Sequence, residues 1–189
     1  MAEKASSKTP VYLSRSAAII TVMKACLRSA RLSDVDSMYE ISCQAHLDDV
    51  YESLIPIESY SKFKSAYTPN DQKRQQFRQK ISDFILGDES KAWVYEASER
   101  VVGYTMARCE NGAWRLKGLF VLPEFQGAGI GRQLFRESYD AAPAGLAVEL
   151  KVIAGNSRAV KIYEKEGFVK TGLASEKFFG AEQINLRLA

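Results

Sequence analysis

Cysteine and histidine are scarce in this chain of 189 residues, with three of the first and one of the second. Cys26, Cys43 and Cys109 are scattered and odd in number, which fits neither a zinc-ligand spacing nor a disulfide framework. No structural metal is expected, and a reducing, cytoplasmic setting is. Long apolar runs are missing too: nothing approaches the ~20 residues of a membrane span. No charge sign dominates. Lys and Arg number 26 against 23 Asp and Glu, a net +3, which does not argue for nucleic acid, a partner that would favour a concentrated basic face. Two nucleotide signatures are also lacking. No glycine-rich turn ends in Gly-Lys-Ser/Thr, and a GxGxxG fingerprint fails because Arg132 stands where its last glycine belongs. Neither internal repeats nor low-complexity blocks occur. The length supports one domain with a real core, and the 46% hydrophobic and 26% charged content is ordinary for a globular chain.

The stretch that is present and distinctive is Val121 to Phe135, VLPEFQGAGIGRQLF. An apolar run from Leu116 to Leu122 reads as a strand, and Pro123, with no backbone donor, closes it. Gly127, Gly129 and Gly131 follow at alternate positions and feed a helix. Glycine lets the backbone approach a ligand closely and adopt positive φ. The first turn of a helix offers free N–H groups and a partial positive charge. Together these predict an anion site suited to pyrophosphate; a tight turn with no ligand has the same sequence. A second stretch, Asn156 to Phe168, reads NSRAVKIYEKEGF. Asn156 suits a helix N-cap, and Gly167 suits its C-terminal cap.

The pattern Gln126-Gly-Ala-Gly129-Ile-Gly131, after Val121-Leu122-Pro123, resembles the coenzyme A loop of the GNAT superfamily of N-acetyltransferases. Asn156, Ala159, Tyr163, Gly167 and Phe168 resemble that family's other signature. The separation of the two stretches leaves room for a helix and a strand between them. The resemblance covers roughly 25–188 and is specific at 116–135 and 150–168. It implies an α+β fold: a single domain over 25–189, with a central mixed, mostly antiparallel sheet of six or seven strands flanked by about four helices. A splayed parallel pair of strands would mark the cofactor site.

The resemblance also implies transfer of an acetyl group from acetyl-CoA, the cosubstrate, to an amine by direct attack in a ternary complex. Backbone groups of Leu119, Phe120 and Val121 would bond the pantetheine arm, and a backbone N–H there would face the thioester carbonyl. Gln126, Gly127, Ala128, Gly129, Ile130, Gly131 and Arg132 would form the pyrophosphate turn. Asn156 would bond pantetheine, with Ala159 beside it. Tyr163 would protonate the leaving thiolate, since a phenol with a pKa near 10 is a plausible acid for a thiol; by spacing alone it reads equally as a core tyrosine. The base has no obvious carrier. Many relatives place a glutamate where this chain has Lys151, and others where it has Arg115. Glu149, a water chain and His46 remain candidates. The missing glutamates motivate one alternative, a GNAT-fold module that binds acyl-CoA without turnover. The acceptor is open between a small amine or polyamine and a peptide N-terminus or lysine. Asp48, Asp49, Glu52 and Glu58 give 46–60 an acidic bias that would attract a cation. The chain is expected to act as a monomer or homodimer.

The remaining segments follow from local pattern. Residues 1–24 read as a polar tail followed by a short apolar run, 17–23, that would form an extra strand or docked arm. Lys24 interrupts that run, so a secretory leader is disfavoured. Cys26 to Ala30 reads as a strand. Ser33 is expected to cap a helix through Ala45, with Met38, Ile41 and Ala45 on one face. Residues 47–61, with Pro56, read as irregular. A helix is predicted over 71–86, with Phe77, Ile81, Phe84 and Ile85 inward. Strands over 92–97, 101–108 and 113–122 form a meander, followed by a helix over 129–141, a buried strand over 146–153 and a helix over 156–166. Strands over 168–173 and 183–188 close the chain.

Overall fold

The computed structural model describes residues 25–189; the expected tail and arm over 1–24 lie outside them. A seven-stranded sheet runs through the domain in the order β1-β2-β3-β4-β5-β7-β6. Its strands are β1 (Ala25–Ser29), β2 (Ser90–Ala97), β3 (Arg100–Glu110), β4 (Ala113–Val121), β5 (Ala147–Ile153), β6 (Phe168–Leu173) and β7 (Gln183–Leu188). All pairings are antiparallel except β4 with β5. That exception follows from the connection, because a helix between consecutive strands returns the chain in the same direction. The β2–β3 and β3–β4 turns are tight. Ser98 and Glu99 (φ 50° and 63°), then Asn111 and Gly112 (φ 52° and 73°), take the left-handed conformations of two-residue hairpins.

Six α-helices surround the sheet: α1 (Val35–His46), α2 (Asp49–Leu54), α3 (Ile57–Tyr67), α4 (Asp71–Leu86), α5 (Ile130–Asp140) and α6 (Ser157–Lys165). Two more form than the pattern suggested, because 47–61 is not irregular. α2 has only six residues, too few to show a helical period, and Pro56 is the N-cap of α3. Proline at a helix start removes a donor that has no intrahelical partner anyway, so it begins this helix instead of breaking it. The start of α1 also differs from expectation. Ser33 lies inside a short 3-10 turn, Leu32–Asp34, and Asp34 is the N-cap. The Asp34 carboxylate takes an N–H from Arg31 at 2.7 Å and two from Arg28 of β1 at 2.7 and 2.9 Å; Arg28 also reaches Glu96 of β2. Burial works to raise the Asp34 pKa, but the Arg28 and Arg31 bonds overcome it and hold the carboxyl below its usual range. This cluster fixes where α1 leaves the sheet.

α5 packs on β2, β3 and β4, while α1 packs on β3, β4 and α4. Neighbouring residues of β4 show that these are opposite faces. The Phe120 ring meets His46 of α1, and the Val121 side chain lies beside Gly131 at the start of α5. The main core is continuous across both faces, with Met38, Val94, Val102, Tyr104, Trp114, Leu134, Phe135 and Leu186 fully or almost fully buried. A second cluster joins α2 and α3 to the 178–181 turn through Ile55, Phe63, Ile153 and Ala181, with Tyr51, Tyr60, Tyr67, Phe178 and Phe179 packed against it.

Candidate active site

The parallel pairing of β4 and β5 runs from Ala113↔Ala147 only to Leu116↔Leu150. Beyond it β5 continues to Ile153 against β7, and β4 continues to Val121 against β3. The two strands therefore separate. The break coincides with a bulge, because Met106 pairs with Gly118 and Ala107 with Leu116, leaving Lys117 extra. The β5-facing edge of 117–121 is left without a strand partner, and a cavity of about 780 Å³ opens at the divergence.

At one end the cavity meets the glycine turn. Gly127 and Gly129 have φ of 81° and 82°, and a Cβ built on either would touch nothing within 4 Å. The turn thus presents bare backbone to open space at the N-terminus of α5, with Gly129 as its N-cap. Arg132, in the first turn of α5, lines the cavity, and so do Arg158 and Lys165 of α6. Glu166, with its side chain only 4% exposed, receives Arg132 at 2.6 Å, Arg136 at 2.8 Å and the Tyr139 hydroxyl at 3.2 Å. Burial tends to raise its pKa; the two arginines more than offset this and keep it ionised. Gln126 turns back to donate to the Val121 carbonyl at 3.2 Å, tying the loop to the strand end.

Asn156 caps α6, its side chain accepting the Ala159 N–H at 3.1 Å, and both residues line the cavity. Two turns along, the Tyr163 ring packs against Phe135 at 4.9 Å and Phe168 at 6.4 Å between centroids. Its hydroxyl has no hydrogen-bond partner among the described residues, and Tyr163 lines the cavity. Burial raises the phenol pKa, and the nearby Tyr51 adds to the rise. The group stays protonated throughout the neutral range.

The opposite wall is aromatic. His46, the last residue of α1, is 6% exposed and stacks on Tyr67 at 3.8 Å with planes 6° apart. Phe120 lies 4.8 Å away, Tyr51 5.0 Å and Phe178 6.0 Å. Its Nδ1 lies 2.7 Å from the Ser42 carbonyl. A carbonyl only accepts, so Nδ1 carries the proton and Nε2 keeps its lone pair. Burial lowers the His46 pKa to about 4, the Ser42 bond offsetting only part of it. Asp48 is on the rim. Glu149 does not line the cavity: it is held by Arg115 at 3.0 Å and Arg187 at 2.5 Å. Lys151 does line it, paired with Glu176 at 3.1 Å.

Of the residues expected at the cofactor, Leu119, Phe120, Val121, Gln126, Gly127, Gly129, Gly131, Arg132, Asn156, Ala159 and Tyr163 come together on this cavity. Ile130 and Ala128 do not line it. Ile130 is 1% exposed in the core and Ala128 packs against the core, so only their backbone lies in the turn. Arg158, Lys165, Lys117, Tyr51 and Phe178 line the cavity without having been expected. Arg158 and Lys165 were findable: they sit seven apart within the Asn156 stretch, on one face of a helix. Tyr51 and Phe178 left no signal. Among the described residues no group of three or more His, Cys, Asp or Glu side chains could hold a metal.

A strand pair that separates over a glycine turn, with an asparagine-capped helix beside it, defines a class, and comparison with known proteins agrees. The family described as acetyltransferase (GNAT) domain matches residues 57–182. The N-alpha-acetyltransferase of Sulfurisphaera tokodaii is 26% identical over 178 residues, covering 86% of this chain and 91% of that protein. The N-alpha-acetyltransferase RimI of Mycobacterium tuberculosis is 33% identical over 93 residues, 46% of this chain and 58% of that protein. The crystal structure of the PaiA N-acetyltransferase from Thermoplasma acidophilum in complex with coenzyme A superposes with a TM-score of 0.63 at 17% identity, over 88% of this chain and all of that one. The chain belongs to the GNAT family. It is an N-acetyltransferase.

Proposed function

We propose that this enzyme moves the acetyl group of acetyl-CoA to a primary amine by direct attack within the one cavity between β4 and β5. The observation that carries this reading is the continuity of that cavity. Its lining includes both the glycine turn and the His46–Tyr51–Phe178 wall, with Arg132, Arg158 and Lys165 among the lining residues. Donor and acceptor can therefore meet without a carrier. No cysteine or serine is among the lining residues, and the one threonine, Thr105, spends its hydroxyl on the Gly118 carbonyl at 2.8 Å.

The residues present fit coenzyme A. Gly127 and Gly129 leave the space a diphosphate requires, and Arg132, Arg158 and Lys165 supply charge of the right sign. The free edge of Leu119–Val121 offers backbone groups to the amides of pantetheine, as a neighbouring strand would, and Asn156 stands across from it. When bound, acetyl-CoA supplies an electrophilic thioester carbon. A preorganised backbone N–H of β4 facing that carbonyl would contribute ~10²–10³ in rate. In this reading Tyr163, protonated through the neutral range, gives its proton to the departing sulfur; its place on the cavity lining supports that role. The burial that raises this phenol also raises the pKa of a thiol in the same dry space, so the two remain matched.

Residues 25–189 form the acetyltransferase domain in this reading. The unpaired thiols of Cys26, Cys43 and Cys109 support a reducing, cytoplasmic setting. A thiol-release assay over a panel of primary amines tests the function. Release that requires an amine supports it, and tight coenzyme A binding without release under any amine would leave only a binding module.

A further inference from the structure

We propose that His46 is the proton acceptor of the reaction, its Nε2 receiving the proton from the acceptor amine inside the aromatic wall. This rests on the acetyl-transfer reading above. Three observations converge on the residue. First, two of the carboxylates in or beside the cavity are committed, which leaves Asp48 as the one the test must separate from His46. Glu149 is locked between Arg115 and Arg187 off the cavity, and Glu166 is held by Arg132, Arg136 and Tyr139 at the phosphate end. Second, the Ser42 carbonyl fixes the tautomer that leaves the Nε2 lone pair free. Nε2 has no partner among the described residues, and His46 lines the cavity. Third, the His46 ring contacts Phe120, the side chain of the strand whose backbone faces the thioester in this reading.

The wall suits a transient cation. An imidazolium formed there would face the π surface of Tyr67, stacked at 3.8 Å, with Phe120 and Tyr51 close by. The titratable groups packed round it are Tyr51 and Tyr67, both kept neutral by burial, Cys43 on its own helix, likewise pushed up by burial, and Asp48 two residues on. Phe120 and Phe178 bring no charge. Burial keeps the imidazole neutral and able to accept through the neutral range. The same dry pocket also disfavours an ammonium, so the acceptor enters as the free amine with its extra proton left in solvent, and the proton passed to Nε2 is the one made acidic by attack on the thioester.

The step balances. The amine nitrogen forms a bond to the thioester carbon and its N–H proton passes to Nε2. The C–S bond breaks, the sulfur keeps the electron pair and takes the Tyr163 proton, and solvent returns the proton from His46 to Tyr163. The products are the amide and free coenzyme A.

His46 is the only histidine in the chain, so a single labelled imidazole reports on it in untagged protein. With ¹⁵N-histidine, the spectrum at neutral pH should show Nδ1 protonated and Nε2 bare. Coenzyme A plus n-butylamine should then shift Nε2. Amine-dependent thiol release by the wild type is measured first, and its absence would fail the underlying reading while the imidazole spectrum still tests the amine contact. His46→Phe keeps the stacked ring and removes both nitrogens. It should lower kcat/KM for the amine by ~10²-fold, with coenzyme A affinity within about twofold of wild type. His46→Gln, which can accept a hydrogen bond but not a proton, should fall alongside it. A proton on Nε2 at neutral pH, an Nε2 signal indifferent to amine, near-normal turnover by either variant, or a loss seen in Asp48→Asn and not in His46→Phe would each overturn the proposal. If the variants unfold, the wild-type spectrum decides.

Discussion

The glycine-turn end of the cavity is shaped mainly by backbone: two glycines in left-handed conformation, the first turn of α5, and a strand edge with no strand partner among the described residues. The far end is made of side chains from distant segments, with His46 on α1, Tyr51 on α2, Tyr67 on α3, Phe120 on β4 and Phe178 near the close of the chain. A site built from backbone depends on residue types that permit a conformation, and these must sit at fixed spacings. A site built from side chains depends only on where the fold delivers them. The first kind is intolerant of change at single positions. The second can be re-lined residue by residue, which suits a surface that selects among amines.

The contrast is broken most directly at Gly129. Aspartate tolerates left-handed φ better than most residues and its Cβ meets nothing, so Gly129→Asp should fold. Its charge would face the diphosphate, and like charges brought together cost several kcal/mol. Coenzyme A affinity measured by calorimetry should fall ~10²–10³-fold; unchanged affinity would remove the turn from the phosphate site.

The far end is probed by acid. The folded His46 pKa, about 4, lies below the unfolded value of 6.5. Between these values the unfolded chain binds a proton that the folded one refuses, so stability falls as pH drops through that window and is unaffected above it. The full loss is about 3 kcal/mol. Urea midpoints at successive pH values should show it in the wild type, and the slope assigned to this residue should vanish in His46→Phe. A wild-type midpoint that is flat from pH 6.5 to 4 would show the imidazole to be solvated.

Tyr163 lines the same cavity. Tyr163→Phe keeps the packing on Phe135 and Phe168 and removes one proton. kcat should drop ~10²-fold with coenzyme A affinity and Tm almost unchanged, the pattern of a transition-state interaction. Near-normal kcat would return the residue to the core.

The smallest effect belongs to Asn156. Its side chain caps α6, so Asn156→Ala should cost about 1 kcal/mol of stability. If it also bonds pantetheine, coenzyme A binding weakens as well. A loss of stability alone would leave the cap as its whole role.

The same division governs how much could be read from the chain. The meander, the parallel pair, the glycine turn and the capped α6 were all legible, because hairpin residues, a strand-closing proline and regular helical faces each leave a local mark. α2 and α3 were not, since six residues hold too little periodicity and Pro56 starts a helix where it had suggested a break. The pairing of Glu149 with Arg115 and Arg187 was also hidden. Residue alternation placed Glu149 and Lys151 on one face, but only the β4–β5 and β5–β7 registers put arginines opposite that carboxylate. His46 had no motif round it, and its surroundings come from four other elements.

The separation of β4 from β5 has one consequence visible without any assay of turnover. Beyond the bulge, successive residues of 118–121 direct their amides to alternate edges of the strand. Those aimed at β3 are paired at all times; those aimed into the gap have no strand to bond. In deuterium exchange this short segment should therefore split into slow and fast amides in strict alternation. Coenzyme A should retard only the fast set. The protected amides would then trace, residue by residue, where the missing neighbour of the sheet lies.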